Sequence, residues 1–93
     1  MRRLIWTKTF VRALSKVIKR YPNTREDIGK TLRLLSADPF LPQLESHKLK
    51  GELSGSWACS VGYDLRIVFD FVKSSTGEDN ILLLEIGSHE EVY

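Results

Sequence analysis

The spacing of apolar residues changes near residue 47, and this change constrains the fold more than any other feature. Up to Ala37, apolar side chains recur every three to four residues, which predicts amphipathic helices. From His47 onward, apolar and polar side chains alternate, most regularly in Leu65–Phe71, which predicts strands with one buried face. Helices followed by strands, rather than alternating with them, predict an α+β fold.

Proline and capping residues divide the first half into two helices. Pro22 ends a first helix near Arg20, because the residue before a proline disfavours helical backbone. Thr7 or Thr9 is suited to cap that helix, and a second helix runs from the proline turn to Asp38. Two helices joined by so short a turn form a helical hairpin.

Short strands complete the predicted fold on both sides of this hairpin. Arg3–Thr7 predicts a first strand, and the nearly continuous apolar run Ile81–Gly87 predicts the centre of the sheet. Ser88 is suited to cap a last helical turn. The prediction is a single α+β domain over residues 1–93: a β-α-α unit, an antiparallel β-meander and a short C-terminal helical turn. The helices are expected to cover one sheet face and leave the other free.

Charge is divided unevenly between the two halves of the chain. The net charge is +2, but residues 1–50 carry 12 basic and 4 acidic side chains, a balance of +8. Residues 51–93 carry 2 basic and 8 acidic side chains, a balance of −6. Such asymmetry favours a polyanionic partner for the basic half.

The single cysteine and the N-terminal residues bear on the compartment. A lone Cys59 excludes an intramolecular disulfide, which is typical of a reducing cytoplasm, and its strand-like surroundings predict a buried, inert thiol. Lys8 and Arg12 interrupt the apolar start that a signal peptide needs. No apolar run reaches the ~20 residues that span a bilayer. We therefore predict a cytoplasmic protein that does not bind membranes.

Five polar residues around the predicted sheet are candidates for chemistry: His47, Asp64, Arg66, His89 and Tyr93. Histidine takes up and releases protons near neutral pH, and a guanidinium binds phosphate. Asp64 is suited to accept or orient a proton, and Tyr93 follows His89 by one helical turn. This set fits RNA cleavage by the substrate's own 2′-hydroxyl, which requires no metal and no cofactor.

Each candidate also has a purely structural interpretation. Isolated histidines are common on protein surfaces, an aspartate often forms a turn, and a terminal tyrosine often frays. Arg66 in particular has two possible partners, since Glu85 or Asp70 would neutralise it in a surface ion pair.

Three stretches of the chain resemble the RelE/ParE superfamily of bacterial type II toxin–antitoxin toxins, and most closely its RelE and YafQ mRNA interferases. The first stretch, His47–Gly51, is similar to the His-x-Leu-x-Gly of YafQ. The second, Tyr63–Phe69, is similar to the Tyr-Arg-hydrophobic strand of RelE. The third, Ile86–Tyr93, is similar to the C-terminal residues of both. The resemblance covers the whole chain and implies a ribosome-dependent mRNA endoribonuclease that inhibits translation and arrests growth.

The resemblance implies catalytic roles for the five candidates: for His47, Asp64, His89 and Tyr93 as in YafQ-like toxins, and for Arg66 as in RelE-like toxins. Two positions depart from the family pattern. Ser60 stands where YafQ-like toxins have a further histidine, and Glu85 stands where they have an arginine. Both changes predict weaker cleavage, and Glu85 is expected to face Arg66.

The resemblance also gives the basic half a use, since the family docks on ribosomal RNA and presents messenger RNA to the sheet. The predicted RNA- and ribosome-binding residues are Lys8, Arg12, Lys16, Lys19, Arg20, Lys30, Lys48 and Lys50. Their alternative interpretation is an ordinary solvated helix face. A cognate antitoxin is the expected protein partner, and operator DNA is expected to be reached only through the antitoxin complex.

Two other functions remain open at this point. A ParE-like toxin shares the fold but inhibits DNA gyrase without RNase activity, and it has no need of the two histidines. An attenuated toxin would act mainly as an antitoxin-bound co-repressor, and its expression alone would not stop growth.

Overall fold

The structure, a computed structural model, describes residues 1–50, 55–62, 64–75 and 77–92. In chain order the elements are β1 (Leu4–Trp6), α1 (Lys8–Arg20), α2 (Arg25–Ala37), β2 (His47–Lys48), β3 (Trp57–Val61), β4 (Leu65–Val72), β5 (Asn80–Ser88) and α3 (His89–Val92), with 3-10 turns at Pro22–Thr24 and Pro42–Leu44. The predicted α+β class and element order are confirmed.

The strands form one mixed sheet in the order β1-β5-β4-β3-β2. The pairs from β2 to β5 are antiparallel, as the meander prediction requires, while β1 lies parallel to β5. The central strand is β4, so the prediction that Ile81–Gly87 forms the sheet centre is wrong by one strand. Strand β5 is still interior, because the three residues of β1 cover part of its outer edge.

A hydrogen-bonding threonine joins the first helix to the sheet. The Thr7 hydroxyl oxygen accepts the Phe10 N–H at 3.0 Å, so Thr7, rather than Thr9, caps α1. The same hydroxyl donates to the Leu83 carbonyl oxygen of β5 at 2.8 Å. One side chain therefore fixes both the start of α1 and its position along β5.

The main core lies between the helices and one face of the sheet. Phe10 of α1 and Leu35 of α2 pack in the same cluster as Ile67, Phe69 and Leu83, and all five side chains are 0% exposed. The alternation predicted for β4 holds, since Leu65, Ile67 and Phe69 belong to this core. Burial on this scale is the main stabilising contribution to the fold.

The second face of the sheet is partly covered, which corrects the expectation that it is free. Leu49, Ala58, Val68 and Val92 form a second buried cluster, with Leu84 packed against it. Apolar side chains of β3 and β4 point to this face, and α3 shields them from water by placing Val92 over them. The open part of this face is therefore confined to its ends and edges.

Buried Cys59 gives a test of the core. Its side chain is 0% exposed, as predicted, and burial raises the pKa of its thiol from 9.0 to about 12, with the Ile67 backbone hydrogen bond and the Arg66 charge opposing that rise. As the pH rises, the thiol of the unfolded chain ionises before that of the folded protein. The contribution of the neutral, buried thiol to folding stability is therefore complete below pH 9 and decreases as the pH rises toward 12. We expect iodoacetamide at pH 8 to label Cys59 only after unfolding in guanidinium. Rapid labelling of the native protein would contradict the buried placement.

Candidate functional site

Arg66 lies near the start of the central strand, β4, beside two small residues. Its Cα partners are Ser60 in β3 and Gly87 in β5. The side chain is half-buried, and one of its guanidinium nitrogens donates to the Leu65 carbonyl oxygen at 2.9 Å. Because neither neighbour carries a long side chain, the guanidinium keeps room and donors for a phosphate.

Neither predicted carboxylate pairs with Arg66. Among the described residues Arg66 forms no ion pair, so the expected contact with Glu85 is wrong, and so is the alternative with Asp70. Glu85 opposes Val68, two residues along β4 from Arg66, so it lies on the Arg66 face as expected, and the register shifts only beyond this pair, between Val68 and Phe69. Asp70 lies four residues further along β4, roughly 13 Å at the usual rise per residue.

The backbone brings Asp64 and His89 together. Asp64 precedes β4 and His89 begins α3, and the His89 N–H donates to the Asp64 carbonyl oxygen at 3.2 Å. Both residues are exposed. Since Leu65 pairs with Ser88, these two residues lie at the same end of the sheet as Arg66.

His47 lies on the same face but apart from this group. It opposes Ala58, which in turn opposes Val68, so the histidine is two strands from β4. At the usual strand spacing of about 4.8 Å, the His47 backbone is roughly 10 Å from β4 across the sheet. Its imidazole Nδ1 is 3.1 Å from the Glu45 carbonyl oxygen. Tyr93, the fifth candidate, lies outside the described residues.

A groove runs between α1 and the edge of β5 next to the site. Its volume is about 400 Å³, and it is lined by Thr9, Arg12, Ala13, Lys16, Val17, Arg20, Tyr21, Glu85, Ile86 and Val92. The three cations are four residues apart and therefore share one side of the helix. The edge of β5 is open here because β1 ends opposite Leu83.

All eight predicted RNA-binding cations are exposed. Three of them, Arg12, Lys16 and Arg20, line the groove, and Lys8 and Lys19 lie elsewhere on the same helix. Lys30 is on α2, while Lys48 and Lys50 lie at the opposite edge of the sheet. The structure thus separates a basic stripe on α1 from three cations elsewhere.

The sequence predicted neither the groove nor its three lining residues from the C-terminal part, Glu85, Ile86 and Val92. Val92 packs in the second apolar cluster and also lines the groove. Glu85 was expected to pair with Arg66; it lies on the Arg66 face but forms no ion pair with that arginine, and it lines the groove instead.

Comparison with known proteins gives the family. A family model described as a bacterial toxin of type II toxin–antitoxin systems, YafQ, matches residues 2–93. The chain belongs to the YafQ toxin family. The RelE/YafQ resemblance of the sequence is thereby confirmed, and the protein is a toxin of a type II toxin–antitoxin system.

Solved structures share the fold of this YafQ-family toxin. A YoeB/ParE toxin from Agrobacterium tumefaciens has 20% identity and a TM-score of 0.75, covering 94% of this chain and 98% of that one. A copper-bound mutant toxin from Helicobacter pylori has 28% identity and a TM-score of 0.69, covering 100% of both chains. The match in the Escherichia coli DinJ-YafQ toxin-antitoxin complex has 17% identity and a TM-score of 0.75, covering 99% of this chain and 97% of that one. No curated protein sequence matched.

Two other kinds of feature, a metal centre and a membrane-spanning helix, have no support among the described residues. Those residues include no group of three or more His, Cys, Asp or Glu side chains that could hold a metal ion. None of their helices has the length and apolar character needed to cross a membrane.

Proposed function

We propose that this YafQ-family toxin is a cytoplasmic, ribosome-dependent mRNA endoribonuclease. The observation that carries the proposal is the convergence of Arg66, Asp64 and His89 at one end of the sheet, with Ser60 and Gly87 leaving space beside the guanidinium. A phosphate held by Arg66 would lie beside a residue that can transfer protons.

The proposed reaction uses the RNA's own 2′-hydroxyl as nucleophile. One histidine removes the 2′ proton, the 2′ oxygen attacks the neighbouring phosphorus, and the bond from phosphorus to the 5′ oxygen breaks. The other histidine gives a proton to the departing 5′ oxygen. Arg66 stabilises the added negative charge on the phosphate oxygens, and Asp64 orients a proton-transfer group.

The remaining predicted residues bind rather than react. Tyr93 is proposed to stack on an RNA base, and the basic stripe of α1 to dock on ribosomal RNA while the sheet end receives the messenger. Ser60 supplies no third imidazole, so cleavage is expected to be slower than with a histidine at that position.

A cognate antitoxin is the proposed protein partner, as DinJ is for the E. coli YafQ in its complex. We propose that the antitoxin lays an extended or helical segment over the basic or catalytic surface. Operator DNA would be reached through that complex.

Sequencing of transcript ends from cells arrested by the toxin tests the endoribonuclease proposal. We expect new 5′ ends inside translated codons, because the reaction needs a messenger on a ribosome. Untranslated copies of the same transcripts provide the matched control and should stay intact. Arrest with a DNA-damage response and no transcript cuts would instead support the gyrase alternative, and no arrest at all would support the co-repressor.

A further inference from the structure

A carboxylate lies in the groove that the basic side chains of α1 line. Glu85 belongs to β5, whereas Arg12, Lys16 and Arg20 belong to the helix across the groove. A groove that only bound phosphates would gain nothing from a negative charge, since Glu85 repels what the three cations attract. A carboxylate at this place suits a ligand that offers an N–H donor beside its phosphates.

Glu85 keeps hydrogen-bonding capacity for such a group. Within the described part of the chain it forms no ion pair with the groove cations. One carboxylate oxygen, Oε1, accepts the Ile86 backbone N–H at 3.3 Å, which orients the half-buried side chain. A carboxylate offers about four acceptor sites, so the remaining ones are available to an N–H donor.

We propose that Glu85 recognises the exocyclic amino group of an unpaired base in ribosomal RNA, which rests on the proposed docking of α1 on that RNA. The phosphates lie against the α1 cations, and the base turns toward β5, where Glu85 accepts from cytosine N4–H₂ or adenine N6–H₂. Val92 and Tyr21 supply apolar contact for the base. Uracil presents a carbonyl oxygen at the corresponding position and is rejected by the carboxylate.

The groove is close enough to the site for this recognition to matter to function. Glu85 is two residues along β5 from Gly87, the neighbour of Arg66, and four from His89. A base bound at Glu85 would therefore fix how the toxin sits on the ribosome relative to the cleavage residues. Phosphate contacts alone fix position without selecting sequence.

Binding of short single-stranded RNAs tests the base recognition directly. Oligocytidine and oligouridine differ in the group at ring position 4, so we expect the wild-type toxin to bind oligocytidine roughly fivefold more tightly. In Glu85→Gln the preference should fall to about one, because the amide can donate to the uracil oxygen as well as accept. Oligomers of N4,N4-dimethylcytidine, which lack the donor, should bind the wild type no better than oligouridine.

The matched control is Glu78→Gln, which removes an exposed carboxylate near the opposite end of β5 and should leave the preference unchanged. The proposal would be overturned if the wild type bound oligocytidine and oligouridine equally. It would also be overturned if Glu85→Gln bound both oligomers more tightly but kept the wild-type ratio of their affinities. So would altered base preference at messenger cut sites in Glu85→Gln, since the occupant would then be messenger RNA. If the toxin cleaves messenger RNA but shows no cytidine preference, only base recognition is contradicted. If it shows the preference but does not cleave, only the endoribonuclease assignment is contradicted.

Discussion

Replacing His89 with glutamine is expected to lower ribosome-dependent cleavage by roughly 10²–10⁴-fold, the usual contribution of a proton-transfer group. His89 starts α3 beside Asp64, and its exposed side chain contributes little to the core. The glutamine keeps a polar side chain of similar length but cannot exchange a proton near neutral pH. The loss should therefore appear in kcat, with an unchanged melting temperature.

His47→Gln is the informative companion to this variant. Both variants should stop the growth arrest that wild-type expression causes, and each should remove a different limb of a bell-shaped pH–rate profile. That separation would also tell which histidine acts as base. Full toxicity of His89→Gln at equal expression would contradict its catalytic assignment.

Val92 explains why His89 can be held in place by so short a helix. One helical turn has little stability of its own, because nucleation costs more than a single hydrogen bond returns. In α3 the turn is anchored at both ends: the His89 N–H binds the Asp64 carbonyl oxygen, and Val92 is buried in the second cluster. Packing against Val68 and Ala58 thus positions a residue of the proposed site.

Much of the fold follows from local signals in the sequence. Helical periodicity, the Thr7 cap and Pro22 determine where α1 begins and ends, and strict alternation identifies the faces of β4. Each of these signals acts within a few residues. The parallel pairing of the short β1 with the distant β5, by contrast, has no signal within a few residues of either strand.

Features that depend on register could not be predicted in this way. The shift between Val68 and Phe69 leaves Leu84 without a partner in β4, and the apolar spacing of β5 does not mark it. The cover over the second face was missed for a similar reason, since Val92 belongs to a single turn with no periodicity to detect. The chemistry of the side chains was enough to choose candidate residues, but identifying their neighbours required the strand pairing of the sheet.

Arg66→Ala is expected to reduce cleavage by about 10²–10³-fold, because a cation aimed at developing phosphate charge acts mainly in the transition state. The fall should be in kcat more than in KM. Arg66→Lys should recover part of the activity, since it keeps the charge but loses the planar pair of donors. Lys73→Ala, which removes the other cation after Lys50, is the matched control and should cleave normally. If Arg66→Ala cleaved as fast as Lys73→Ala, the guanidinium between Ser60 and Gly87 would not be the group that stabilises the phosphate.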